Sequence, residues 1–394
     1  MEVFILITFK AHLYTEDKML KFYPLLLILL LNSCATGSNI SGLGTTTLRF
    51  IGDKAFPIET TFNGIPFGGI SGISYDPKTD SLLGVSDDRS SRAPARFYEF
   101  KLIIEPSFVD LKILKSTVLK SANGRSFPKG EVDFEALSFV SNNRVVISSE
   151  GDNRPSPRIA PWLAIFNRDG SYSNWIDLPD RFLPEHKGEM TKGPRNNLSF
   201  ESVGVTRDFS YLFTATEDTL FQDGDLATSS NPGVIRILRY KEKNSTYSFD
   251  AEFPYKLEAV PTKEKGQVTR GHNGLVDILP FNKRYFLTME RAWVPEERKQ
   301  TIKIFKVSIE KDTTRLFDVG SLKDGNYSVV KKELVADLDD FVPLLTDGKK
   351  KLDNMEAMTF GPKLPNGNHT LLIMSDDNFN KRQRTLLLAF ELLK

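Results

Sequence analysis

The sequence predicts an all-β fold made from one repeated unit, and three observations carry that prediction. Short alternating apolar runs recur along the chain, each opened by a related motif: "DFEALSF" (133–139), "SFESVGV" (199–205) and "NMEAMTF" (354–360). Each run passes through a polar turn into a second apolar run that ends in an acid. The opening motifs are also spaced almost regularly, and self-similarity at a fixed period is read before anything else.

The N-terminal segment stands apart from this pattern. Residues 22–31 read "FYPLLLILLL", flanked by Lys18 and Lys21. The run has the length of a signal-peptide core and is too short to span a bilayer comfortably. It leads into "LNSC" (31–34), which resembles a relaxed bacterial lipobox ending on Cys34, the only cysteine in the chain. The expectation is a signal peptide over residues 1–33, with Met19 as an alternative start, and lipidation of Cys34 after cleavage. An anchor linker over 34–44 and a single domain over 45–394 would follow. That expectation makes the protein an exported lipoprotein of the cell envelope, held to a bacterial membrane through Cys34. With one cysteine no internal disulfide can form, so stability must come from core burial. The formal net charge is +1, which gives no global sign of nucleic-acid binding.

Five segments then repeat. They begin at Ser71, Glu135, Glu201, Asn273 and Glu356, at intervals of 64, 66, 72 and 83 residues. Their second strands end at Asp87, Glu150, Glu217, Glu290 and Asp376, which lie 16, 15, 16, 17 and 20 residues after the starts. A third β-rich strand follows each hairpin: "RFYEFKL", "WLAIFNR", "IRILRYK", "TIKIFKV" and "TLLLAFEL". Radially repeated antiparallel units define a β-propeller, whose last blade is often closed by an N-terminal strand. "TTTLRFIG" (45–52) is the candidate for that strand. The count is five motif-bearing blades. A sixth, degenerate blade has room in the longer intervals, around "YSVVKKELVADL" (327–338).

Propeller geometry brings the start of each first strand and the end of each second strand to the same end of the channel. Glu135, Glu201 and Glu356 then form one ring, with Asp87, Glu150, Glu217, Glu290 and Asp376 beside it. Asp88 and Asp377 follow directly in sequence. Carboxylates converging in an enclosed mouth repel one another unless something neutralises them. Hard divalent cations suit such oxygens, and Ca²⁺ takes 6–8 of them. No cysteine cluster or HExxH pattern points to zinc. The metal candidates are therefore Asp87, Asp88, Glu135, Glu150, Glu290, Glu356, Asp376 and Asp377, with Ca²⁺ the expected ion. Acids at strand ends also tie propeller blades together, so each of them has a structural reading as well.

Basic residues follow the acids: Arg89, Arg154, Arg291 and Arg382. A guanidinium presents paired donors in a fixed fork that fits phosphate oxygens. These arginines and His272 are the candidate contacts to a small, phosphorylated anion, with His272 read more readily as a loop residue than as a catalyst.

Several of these stretches together resemble a known family. "GGISGISYDPKTDSLLGVSDDR", "DFEALSF", "ISSEGD", "NLSFESVGVTRD", "FTATED", "NMEAMTFGP" and "LLIMSDDNF" are similar to the phytase-like propellers described as having esterase-like activity. The resemblance covers the chain from about Gly68 to its end. It implies a propeller and suggests phosphoester hydrolysis, with alkaline phytases as more distant relatives. A serine esterase fits less well, because the sequence around Ser71 lacks the G-x-S-x-G spacing of a nucleophile elbow. The expected function is metal-dependent phosphoester or ester hydrolysis by a monomer. Glu201 and Glu217 place the metal and the water in that reading. The alternative is a non-catalytic surface lipoprotein that binds a ligand or partner at the same mouth.

Overall fold

The computed structural model describes residues 46–262 and 270–393. Contacts divide the chain into Met1–Leu43, which lies outside the described residues, and Gly44–Lys394. The expected signal peptide, Cys34 and the whole of the linker therefore fall outside the description. Among the described residues, no helix is long and apolar enough to cross a membrane.

Strand β1 (Thr47–Ala55) and a short hairpin, β2 (Thr61–Phe62) and β3 (Ile65–Pro66), precede the first blade. Blade one is β4 (Ile70–Asp76), β5 (Ser81–Ser86), β6 (Arg96–Glu105) and β7 (Phe108–Val118). Blade two is β8 (Phe134–Val140), β9 (Arg144–Ser149), β10 (Trp162–Asn167) and β11 (Tyr172–Ile176). Blade three is β12 (Ser202–Val205), β13 (Tyr211–Ala215), β14 (Val234–Lys243) and β15 (Thr246–Lys256). Blade four is β16 (His272–Pro280), β17 (Tyr285–Val294), β18 (Lys299–Ser308) and β19 (Lys331–Asp337). Blade five is β20 (Asn354–Lys363), β21 (His369–Asp376) and β22 (Leu386–Leu393), completed on its outer edge by β1.

The fold is thus a five-bladed β-propeller, and β1 closes the ring where "TTTLRFIG" was expected to. It pairs antiparallel with β22, from Thr47 opposite Leu393 to Ala55 opposite Leu386. No sixth blade exists among the described residues. The stretch "YSVVKKELVADL" supplies β19, the fourth strand of blade four, which pairs with β18 from Ser308–Lys331 to Lys303–Asp337.

The strands read as apolar runs because each blade buries both of its faces. Along β22, Leu386, Leu388 and Phe390 pack toward blade four, while Leu387 and Ala389 pack toward blade one. This is the period of two expected of a strand, with neither face left to water. Five apolar clusters result, one in each gap between neighbouring blades. Full burial of one leucine contributes roughly 1.5–3 kcal/mol relative to exposure. Repeated around the ring, that burial holds a chain without cross-links together. The five inner strands β4, β8, β12, β16 and β20 contact one another in turn, and β20 meets β4. Their N-terminal ends surround one mouth of the channel.

Candidate metal centre and anion cleft

Every inner strand carries one extra residue near its start. In blade one the pairing steps from Ile70–Ser86 to Gly72–Val85, leaving Ser71 over. In blade five it steps from Met355–Ser375 to Ala357–Met374, leaving Glu356. In blade two Glu135 and Ala136 stand against Ser148 alone, between the pairs Phe134–Ser149 and Leu137–Ile147. In blade three the Glu217 amide donates to Ser199 O, while Ser202 faces Ala215. Phe200 and Glu201 therefore share the single residue Thr216. Such a bulge bends its strand and re-aims a side chain. The recurrent acid before an apolar run occupies this position in blades two, three and five.

Blade four departs from the expected alignment. Its pairing steps from Leu275–Glu290 to Asp277–Met289, so the extra residue is Val276 rather than Asn273. The residue equivalent to Asp87, Glu150, Glu217 and Asp376 is then Arg291, opposite Gly274. A slip of one residue in a strand sends the side chain to the other face. Glu290 accordingly leaves the mouth. Its carboxylate accepts from Tyr255 Oη at 2.6 Å, Lys332 Nζ at 2.7 Å, the Glu258 amide at 2.8 Å and Asn273 Nδ2 at 2.7 Å. With all those donors it is a structural anchor that ties β17 to blade three through Tyr255 and the Glu258 amide, and to β16 and β19 of its own blade.

Arg291 takes the vacated place and neutralises part of the ring. Its Nη1 donates to Glu356 Oε1 at 2.5 Å and to Asn354 Oδ1, and Nη2 donates to Glu217 Oε1 at 3.0 Å. Asn354 Nδ2 in turn donates to Glu356 at 2.7 Å. The guanidinium is held firmly protonated because Glu356, Glu217 and Glu201 outweigh the cost of burying it.

The remaining carboxylates form two triads whose oxygens lie within 4.8 Å of one another: Asp133, Glu135 and Glu150, and Glu150, Glu201 and Glu217. Glu150 belongs to both. All are buried. Burial is the main force raising the pKa values of Glu135, Glu150 and Glu201, reinforced by their neighbours' charges. Asp133 is pushed up to about 7 by burial, against the pull of Arg89. Asp87 and Asp376 are raised in the same way, with the Glu356 charge an added cause for both and the Asp87 charge a further one for Asp376. One oxygen of Asp87, Oδ1, is buried without a hydrogen-bond partner. The Glu150 carboxylate accepts the Ser199 amide at 2.7 Å, which ties blade two to blade three.

The donor set suits a hard cation. Both triads are entirely carboxylate, and oxygen-only sites favour Ca²⁺ or Mg²⁺ over zinc or copper. Orphaned buried oxygen such as Asp87 Oδ1 is what a cation would satisfy. The buried acidic clusters can therefore hold a metal ion.

Two other expected ligands serve the framework instead. Asp88 accepts from Arg96 Nη1 at 2.6 Å, Arg92 Nη1 at 3.3 Å and the Arg92 and Ala93 amides, so it pins the loop after β5. Asp377 accepts from the Gly69 and Phe379 amides, both at 2.9 Å, and from Thr385 Oγ1 at 3.1 Å. It joins blade five to blade one. Asp133 was missed as a site residue although it opens "DFEALSF". The signal was its carboxylate directly before a bulge acid.

The basic residues divide into two groups. Arg89 bridges Asp133 and Asp152 at 3.1 Å each, and Arg154 binds the same Asp152 at 2.8 Å. These form a rim on the blade-two side of the mouth. Arg291, Arg382 and His272 line a cleft of about 1220 Å³ between blades four and five. Arg298, Lys299, Lys350 and Lys351 add positive charge there, against Glu297, Asp339 and Asp353. Asp339 and Asp353 are already engaged by Lys299 at 2.7 Å and by Arg384 and Lys351 at 2.8 and 3.0 Å. Burial lowers the pKa of His272, leaving a neutral imidazole near neutral pH. Sequence spacing pointed to Arg291, Arg382 and His272, but the lysines of the 349–351 run come from a loop with no motif.

A five-bladed propeller with a buried polycarboxylate mouth opening beside a basic cleft is the class of protein that fold and site define. The model for the phytase-like family, described as "esterase-like activity of phytase", matches residues 65–379, and the chain belongs to that family. No curated protein matches the chain. Among solved structures, the endo-arabinase from Bacteroides thetaiotaomicron VPI-5482 is 12% identical, with a TM-score of 0.41 over 86% of this chain and 97% of that one. The β-fructofuranosidase from Schwanniomyces occidentalis, complexed with fructosyl-erythritol, is 10% identical, with a TM-score of 0.40 over 86% and 58%. Neither similarity carries weight for the chemistry of this chain.

Proposed function

We propose that the protein is a divalent-metal-dependent hydrolase of phosphoesters, with Ca²⁺ as its ion. The observation that carries this reading is the junction at Arg291. One guanidinium lines the basic cleft and also touches Glu217, a member of the metal triad. An anionic substrate held in the cleft is thereby brought up against the carboxylate cluster.

Asp133, Glu135, Glu150, Glu201 and Glu217 would hold the metal. A divalent cation in such a site supplies a water of lowered pKa and offsets charge that develops on phosphoryl oxygens. Glu201 has no hydrogen-bond donor among the described residues, so it is free to hold or accept a proton from a water in the mouth. Glu217 is oriented by Arg291 and keeps its second oxygen for the triad. Arg291 and the cleft cations bind and orient the phosphate, and fixed donors of this kind cost no reorganisation during reaction. The dearth of carboxylate partners for Arg298 and Arg382 among the described residues leaves them available to a multiply anionic ligand.

The same site would serve a non-catalytic ligand-binding protein, and the Glu150–Ser199 blade tie favours that reading for one of the acids. Turnover separates the two. Metal-stripped mature protein, assayed with Ca²⁺ or chelator on phosphomonoesters, phytate and carboxyl esters, should release phosphate only with the metal. Absence of turnover on every ester, with anion binding retained, would replace the hydrolase by the binding protein.

A further inference from the structure

The opposite end of the channel holds a second cavity, of about 410 Å³, which the hydrolase reading does not use. It lies at the far ends of the inner strands and their hairpin turns, away from the carboxylate mouth. Phe139, Val205, Ile278, Met358 and Phe360 give it apolar walls. Arg207, on the turn between β12 and β13, lies across it with its guanidinium 4.6 Å from the centre of the Phe360 ring.

The charge in this cavity is unbalanced. Arg207 has no carboxylate partner among the described residues. Its Nη1 and Nη2 lie 3.0 and 3.2 Å from the two ring nitrogens of His369. A neutral imidazole accepts at only one nitrogen, so the guanidinium retains donors. The surrounding protein presses the Arg207 pKa down, a sign of poor solvation of its charge, although the side chain stays exposed through the open end. Lys78 and Lys363 line the same cavity, and neither pairs with a carboxylate among the described residues. The lining acid, Asp76, is engaged by the Lys78 amide at 2.9 Å, Thr79 Oγ1 at 2.8 Å and Arg168 at 3.5 Å.

We propose that this cavity is a second ligand site, which takes a small amphipathic carboxylate by seating its apolar body on the channel walls and its anion on Arg207. Small-molecule sites are concave, mostly apolar and fixed by a few polar groups, and cavities of 300–1,000 Å³ are typical. A carboxylate meets Arg207 through paired donors, while Lys78 and Lys363 add attraction at the rim. The apolar body can be an acyl chain or an aryl ring, and both present the same chemistry to the site.

Calorimetric titration of the mature chain with decanoate, 2-naphthoate and decanol tests the proposal. At least one of the two carboxylates should bind at one per chain, and whichever binds more tightly identifies acyl or aryl as the natural body. Decanol should bind at least tenfold more weakly than decanoate if the acyl arm is the binder. Arg207→Glu should weaken carboxylate binding tenfold or more, since a hydrogen-bonded charge is lost, whereas Arg207→Lys should cost only a few-fold. Lys363→Glu, at an exposed position, gives an independent reading of the same charge should Arg207→Glu fail to fold. Glu201→Gln should leave this binding intact, which separates the site from the hydrolase mouth. No binding of either carboxylate overturns the proposal, as does undiminished binding in a folded Arg207→Glu protein or equal affinity for decanol.

Discussion

Arg291 and Glu290 are neighbours in sequence with opposite fates. One is a charge in the channel mouth and the other a fully bonded anchor, because alternate residues on a strand face opposite sides. Removing Arg291 leaves Glu217 and Glu356 without their cation and the cleft without its innermost donor. Arg291→Ala should raise KM for phosphoesters and lower kcat by about 10²–10³, measured by steady-state kinetics; unchanged KM and kcat would take the residue out of the site. Asp133 gives the pH dependence. Its folded pKa of about 7 lies above the usual aspartate value of about 3.9. The folded state therefore binds this proton more tightly than the unfolded chain. That contribution to stability is complete below about pH 4 and is lost as pH rises through 7. The raised values of Glu135, Glu150 and Glu201 act in the same direction. Metal-free protein should consequently lose melting temperature from pH 5 to pH 8. Calcium, which replaces those protons, should restore more at pH 8 than at pH 5. Equal calcium increments at the two pH values in a melting experiment would count against the shared site.

At the scale of elements, the bulge at the start of each inner strand explains which acids reach the mouth. Much of this was legible in the sequence. The bulge residues Glu135, Glu201 and Glu356 and the second-strand acids Asp87, Glu150, Glu217 and Asp376 all stood out by spacing. Blade four did not, because a bulge at Val276 leaves no polar mark and "MER" offers an acid one residue before the position that matters. Register is a count of backbone pairs, and a one-residue ambiguity changes which face a side chain takes. Asp88 and Asp377 were legible as acids but not as caps on loop amides, which depend on how the chain turns back. Gly274 shows how closely β16 approaches blade three: a Cβ there would lie 2.4 Å from Glu217 Cγ and 2.7 Å from its Oε1. Gly274→Ala should push Glu217 aside. It should weaken calcium binding about tenfold or more while the far-UV circular dichroism of the propeller persists. Unchanged calcium affinity would mean that Glu217 is not a ligand.

For the whole molecule, closure by β1 sets Thr47–Ala55 in the outer edge of blade five, after the segment that the sequence alone reads as a leader. The proposal that the protein is tethered through Cys34 rests on that leader and the single cysteine. Intact mass and N-terminal analysis of protein expressed in a bacterial envelope should show cleavage before Cys34 and added acyl mass. An unprocessed chain, or one cut beyond Cys34, would rule the anchor out.

The account centres on a divalent cation held by two carboxylate triads that share Glu150. Calorimetric titration of Ca²⁺ into metal-stripped mature protein and its Glu150→Gln variant tests this most directly. The glutamine can still accept the Ser199 amide through its carbonyl oxygen, so the blade tie survives while the shared charge is removed. The wild type should bind Ca²⁺ with release of protons to the buffer, and the variant should bind at least about a hundredfold more weakly, as loss of a charged ligand from a buried site demands. Absence of binding in the wild type, or equal affinity in both proteins, would contradict the account and leave the acids as ties between blades.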